Sequence, residues 1–104
     1  MSVFNDSKRV STAIESILTQ SHTNYEFLIM DDCSTDETYK ICSEYEKKYD
    51  QIKLFRNSKN IGLTKSLNIL CKEAQYEYIA RQDSDDYSRP ERFTQQLNFI
   101  KKII

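Results

Sequence analysis

Glycine and proline are almost missing from these 104 residues, which hold one of each, Gly62 and Pro90. So few backbone breaks leave no visible interdomain linker, and the length fits a single domain with a modest core. Histidine occurs once, at His22, so a histidine-based metal cluster is excluded. The three cysteines, Cys33, Cys42 and Cys71, are odd in number and form no CxxC pair. That argues against a disulfide framework or a zinc site and favours a reducing compartment. The longest wholly apolar run, Phe27 to Met30, is far too short to span a bilayer. No charged-then-apolar leader opens the chain. The expected location is therefore cytoplasmic. The formal net charge is −1, without the basic excess of a nucleic-acid binder, and no nucleic-acid partner is expected.

What is present alternates between two periodicities. Ser2 to Phe4 reads as the end of a strand. Val10, Ala13, Ile14, Ile17 and Leu18 then share one helical face, with Asp6 or Ser7 as the cap. Tyr25 to Met30 is a short apolar run typical of a buried parallel strand, and it ends in Asp31-Asp32. Ser34 and Glu37 have capping-box spacing before a helix with Ile41, Cys42, Tyr45 and Tyr49 on one face. Ile52 to Phe55 reads as a third strand, Asn57 to Gly62 as a polar loop, and Leu63, Leu67, Leu70, Cys71 and Ala74 as a third amphipathic helix. Tyr78 to Ala80 is expected as a fourth strand leading to Asp83-Ser84-Asp85-Asp86. Ser88 and Glu91 form a second capping box with Pro90 in the first turn, and Phe93, Leu97, Ile100 and Ile104 line a last helix.

This order predicts an α/β fold, a mostly parallel, Rossmann-like sheet with flanking helices. Ligands of such sheets bind beyond the carboxyl ends of the strands. Three polar clusters fall there: Asn5-Asp6, Asp31-Asp32 and Asp83 to Asp86. Three carboxylates in four residues repel one another unless solvated or neutralised. A hard divalent cation that also bridges substrate phosphates would neutralise them. A solvated acidic turn that caps the next helix accounts for the same residues, and Asp31-Asp32 equally suits a turn or a hydrogen bond to a nucleobase or ribose.

Four segments in order resemble family 2 glycosyltransferases of the GT-A fold. They are Ser2-Val3-Phe4-Asn5 with the helix around Ala13 to Gln20, Tyr25 to Asp36 with its DDxSTD turn, Asn60 to Asn68, and Tyr78 to Asp86 followed by Pro90-Glu91-Arg92. The resemblance covers nearly the whole chain. It implies inverting transfer of a sugar from a nucleotide diphosphate sugar, most naturally a UDP-sugar, to a glycan or lipid-linked acceptor. It places Ser2 and Phe4 beside the nucleotide, Asp32 on the base, and Lys65 near the base or phosphates. Asp83 falls at the ribose or metal shell, and Asp85 becomes a ligand of manganese or magnesium. Asp31 and Asp86 are supporting groups. Surface polysaccharide or lipid-linked glycan assembly is the implied setting, which allows placement at the inner face of the membrane.

Measured against that family, residues 1–104 form a single partial domain, the front, nucleotide-sugar-binding half of a catalytic domain. The first strand looks shortened. The acceptor site and the general base are expected beyond Ile104, so the catalytic residue is unknown. Two other classes compete. One is an inactive fragment serving as a nucleotide-binding module or self-associating through unpaired sheet edges. The other is a phosphoacceptor receiver domain, which needs a strand-end lysine that the sequence does not supply.

Overall fold

Strand β2, Phe27–Asp31, is the axis of a three-stranded parallel sheet. A computed structural model of the protein describes residues 1–103. β1, Ser2–Val3, lies on one side of β2 with Ser2 opposite Met30 and Val3 opposite Asp31. β3, Ile52–Arg56, lies on the other side, in register from Phe27 opposite Ile52 to Asp31 opposite Arg56. Successive strand residues point to opposite faces. Ile29 and Met30 are both buried, so helices cover both faces of β2. This is why β2 is a continuous apolar run rather than an alternating one.

Four helices complete the described residues: α1, Val10–Leu18; α2, Thr38–Lys48; α3, Leu63–Glu73; and α4, Arg92–Ile103. The apolar face of α1 is as the spacing predicts, with Val10, Ala13, Ile14 and Ile17 buried against Val3, Phe27, Ile29, Cys42 and Ile52. Fully burying a side chain such as Ile14 or Ile29 contributes about 1.5–3 kcal/mol, so this cluster is the main source of stability. Cys42 is a packing group within it. Burial pushes its thiol up to about 12, and the nearby Asp31 adds to the shift. Ile104, expected on the last helical face, lies outside the described residues.

Two expectations need correction. Tyr78 to Ala80 has no regular secondary structure and pairs with no strand of the sheet. The neighbouring edge strand, β1, is only two residues long and offers too short a ladder to hold a fourth strand. The helix starts also differ from the capping boxes. α2 begins at Thr38, and the first-turn acceptor is Asp36, whose Oδ1 takes the Thr38 N–H at 2.9 Å. Ser34 Oγ instead accepts the Asn5 N–H at 2.9 Å. α4 begins at Arg92, while the Ser88 hydroxyl donates to Gln82 Oε1 at 2.6 Å. α1 begins at Val10 with no side-chain cap, and the side chain of Asp6 serves another loop. In each case a partner outside the helix takes the polar side chain that local spacing assigns to a cap.

Candidate functional site

The parallel sheet brings Asn5-Asp6 and Asp31-Asp32 to its carboxyl edge, as the alternation predicts, and the Asp83–Asp86 turn joins them through side-chain contacts with Asp6 and Arg9. The loops after β1 and β2 are sewn together there. Asn5 Oδ1 accepts the Thr35 N–H at 2.8 Å, and the Asp6 N–H donates to Thr38 Oγ1 at 2.9 Å. Both loops turn through left-handed backbone, Asn5 at φ 48° and Cys33 at φ 64°. Asparagine tolerates that region, whereas cysteine rarely occupies it, so the turn at Cys33 must be held by its surroundings.

Asp31 and Asp32 do the holding. Asp31 is fully buried, and its Oδ2 accepts the Ser34 N–H at 3.1 Å and lies 3.3 Å from Arg56 Nε. Arg56 also donates to the Ser34 carbonyl at 3.1 Å and stacks over the Tyr39 ring. Asp31 Oδ1 has no hydrogen-bond partner. Asp32, 3% exposed, faces the other way. Its Oδ1 accepts Asn57 Nδ2 at 3.0 Å and the Ile61 N–H at 2.9 Å, while its Oδ2 accepts the Gly62 N–H at 2.9 Å. Burial pushes the Asp32 carboxyl up, but the bonds from Ile61, Asn57 and Gly62 outweigh it and hold the group below its ordinary value. Gly62, at φ 91°, supplies the backbone that turns this clamped loop into α3.

The third cluster is built differently. Asp83, Asp85 and Asp86 lie on a turn closed by the Asp86 N–H on the Asp83 carbonyl at 3.1 Å. Each offers one carboxylate oxygen, and these oxygens lie within 4.8 Å of one another. The side chains of Asp83 and Asp85 are 42% and 50% exposed. Two guanidinium groups approach them: Arg81 Nε is 3.1 Å from Asp83, and Arg9 Nη1 is 3.8 Å from Asp85. An all-oxygen set at this spacing, already drawing positive charge, fits a hard divalent cation. Ser84 ties the turn to the sheet edge, its hydroxyl donating to Asp6 Oδ2 at 2.8 Å, while Asp6 Oδ1 holds Arg9 Nε at 2.8 Å.

The residues singled out in the sequence divide accordingly. Asp83 and Asp85 meet on one turn with Asp86. Ser2 lies within β1, Phe4 projects at 48% exposure just after it, and Lys65 is exposed in the first turn of α3. Asp32 reaches toward α3 only through the 57–62 loop it clamps. The sequence gives Arg9, Gln82, Ser88 and Arg92 no role in the site, although the structure places all four around the acidic turn. The signal for Gln82 is its place directly before Asp83. Arg9 has none, since nothing in sequence links it to a residue 76 positions away.

The sequence model described as glycosyl transferase family 2 matches residues 1–103. EpsE of Bacillus subtilis (strain 168) is 44% identical over 103 residues, covering 98% of this chain and 37% of EpsE. The poly(ribitol-phosphate) beta-glucosyltransferase of Bacillus spizizenii is 33% identical, covering 96% of this chain and 16% of the relative. Among solved structures, S. aureus TarS 1–349 in complex with UDP-GlcNAc superimposes with a TM-score of 0.89 at 30% identity, covering 97% of this chain and 30% of that one. The chain therefore spans well under half the length of these relatives.

Proposed function

Because the chain belongs to glycosyl transferase family 2 and has its GT-A fold, we propose that it is the donor side of an enzyme that transfers a sugar from a nucleoside diphosphate sugar to a glycan or lipid-linked acceptor. The observation that carries this reading is the open trio Asp83, Asp85 and Asp86, presented on the sheet edge where ligands of parallel sheets bind. A UDP-sugar is the donor favoured, since TarS, 30% identical, was solved with UDP-GlcNAc. Transfer proceeds with inversion at the sugar carbon.

Asp85 is the principal ligand for manganese or magnesium, with Asp83 at the ribose or metal shell and Asp86 in support. When bound, the cation neutralises charge on the diphosphate leaving group. Ser2 and Phe4 border the nucleotide, and Phe4 offers an exposed ring to it. Lys65 lies on the approach to base or phosphates. Asp32 meets the base with acceptor capacity left over, since a carboxylate accepts about four hydrogen bonds and three internal donors are present. None of the described residues is assigned as the base that deprotonates the acceptor. No described helix is long and apolar enough to cross a membrane.

Calorimetric titration with UDP and manganese, for the wild type and Asp85→Ala, tests the reading. Metal-dependent binding in the wild type and its loss in the variant are expected. Equal binding by both, or none by the wild type, overturns it.

A second reading, self-association, is favoured by the exposure of Tyr76, Tyr78 and Ile79 and by the short edge strand β1. Sedimentation of the chain as a monomer across a hundredfold concentration range would exclude it.

A further inference from the structure

We propose that Gln82, Ser88 and Arg92 form a clasp that positions the Asp83–Asp86 turn for cation binding, an inference that rests on the donor-site reading above. Gln82 and Ser88 flank the turn, and each is 4% exposed. Gln82 Nε2 donates to the Asp86 carbonyl at 2.9 Å, so one side chain reaches across from the residue before the turn to its far end. Ser88 Oγ donates to Gln82 Oε1 at 2.6 Å. Arg92 Nη1 donates to that same oxygen at 3.1 Å and to Ser88 Oγ at 2.9 Å, and its Nη2 donates to the Arg81 carbonyl at 2.8 Å. One planar guanidinium thus gathers both flanks of the turn onto the start of α4.

The clasp is anchored to α1, not left on the surface. The Ser88 N–H donates to Ser16 Oγ at 3.0 Å. Gln20 Nε2 donates to the Arg89 carbonyl at 2.7 Å, and Gln20 Oε1 accepts the Phe93 N–H at 3.0 Å. Ser16 and Gln20 are buried. None of these bonds uses a carboxylate oxygen of Asp83, Asp85 or Asp86. The clasp fixes the backbone and leaves the acidic groups open.

Carboxylates this close repel one another, so an unrestrained turn would splay before a cation arrived. Holding it closed in advance removes that reorganisation from the binding step. Arg92 adds positive charge behind the turn without blocking its open side.

The test uses the whole chain, with manganese alone as the probe, in wild type, Gln82→Met and Arg92→Lys. Binding is followed by water-proton relaxation and local order by amide hydrogen exchange. Gln82→Met should weaken manganese binding about 10–100-fold, the range for groups that orient ligands without touching the metal. Amide exchange should accelerate at residues 83–88 and stay unchanged in β1–β3. Arg92→Lys keeps the charge but lacks the fork, so weakened binding there assigns the effect to geometry. Wild-type affinity in Gln82→Met overturns the clasp and leaves the donor reading intact. Exchange that accelerates equally across the sheet also overturns it, by making Gln82 a general stabiliser. A wild-type chain that binds no manganese overturns the donor reading and the clasp with it.

Discussion

Two acidic clusters sit on one sheet edge, and the structure uses them in opposite ways. Asp31 and Asp32 are buried and bind their own chain: Asp31 closes the turn before α2, and Asp32 clamps the loop before α3. Asp83, Asp85 and Asp86 are open, and the hydrogen bonds that shape their turn fall on its backbone and flanks. In sequence both are strand-end aspartates. The difference teaches that the identity of an acidic motif does not say whether its carboxylates hold the chain's own loops or stay open; the destination of their hydrogen bonds does.

The sharpest way to break the comparison is Asp32→Ala. It removes three bonds to a charged acceptor from a partly exposed loop and should cost about 3 kcal/mol, read from urea denaturation. Next is Arg56→Ala, which removes the guanidinium beside Asp31. A loss of about 2 kcal/mol is expected in thermal melts. A smaller effect comes from acid. Because the folded Asp32 carboxyl titrates below its ordinary 3.8, its contribution is fully present above that pH and is lost as pH falls through the lowered folded value. Melts of wild type and Asp32→Asn should therefore differ most at neutral pH and converge below pH 3.8; a gap that widens in acid would contradict the assignment. The smallest effect on stability belongs to Asp85→Ala, which should stay within about 0.5 kcal/mol of wild type while losing manganese-dependent UDP binding.

Much of the fold is legible in the sequence because apolar spacing reports burial directly. The face Val10, Ala13, Ile14, Ile17 and the run Phe27 to Met30 are core in the structure as in the pattern. The convergence of Asn5-Asp6 and Asp31-Asp32 follows from parallel strands, whereas Asp83 to Asp86 follows no strand and is drawn in by Ser84 on Asp6. What the pattern misses are competitions settled at a distance. Ser34 and Ser88 have the spacing of caps, yet Asn5 and Gln82 take their hydroxyls. Tyr78 to Ala80 has strand character, but pairing depends on a neighbour, and β1 offers two residues. The clamp that Asp32 makes is also invisible locally, because its three donors lie 25 to 30 positions further along the chain.

The contacts around the acidic turn carry a consequence for the order of assembly. Asp6 meets Ser84 across 78 positions, Ser16 meets Ser88 across 72, and Gln20 meets Arg89 across 69. The pairs that build β1, β2 and β3 span far less of the chain. Closing longer loops costs more entropy and slows formation. The sheet can therefore be complete before the acidic turn locks onto α1. During synthesis, the strands that form the receiving edge leave the ribosome before residues 82–92 do.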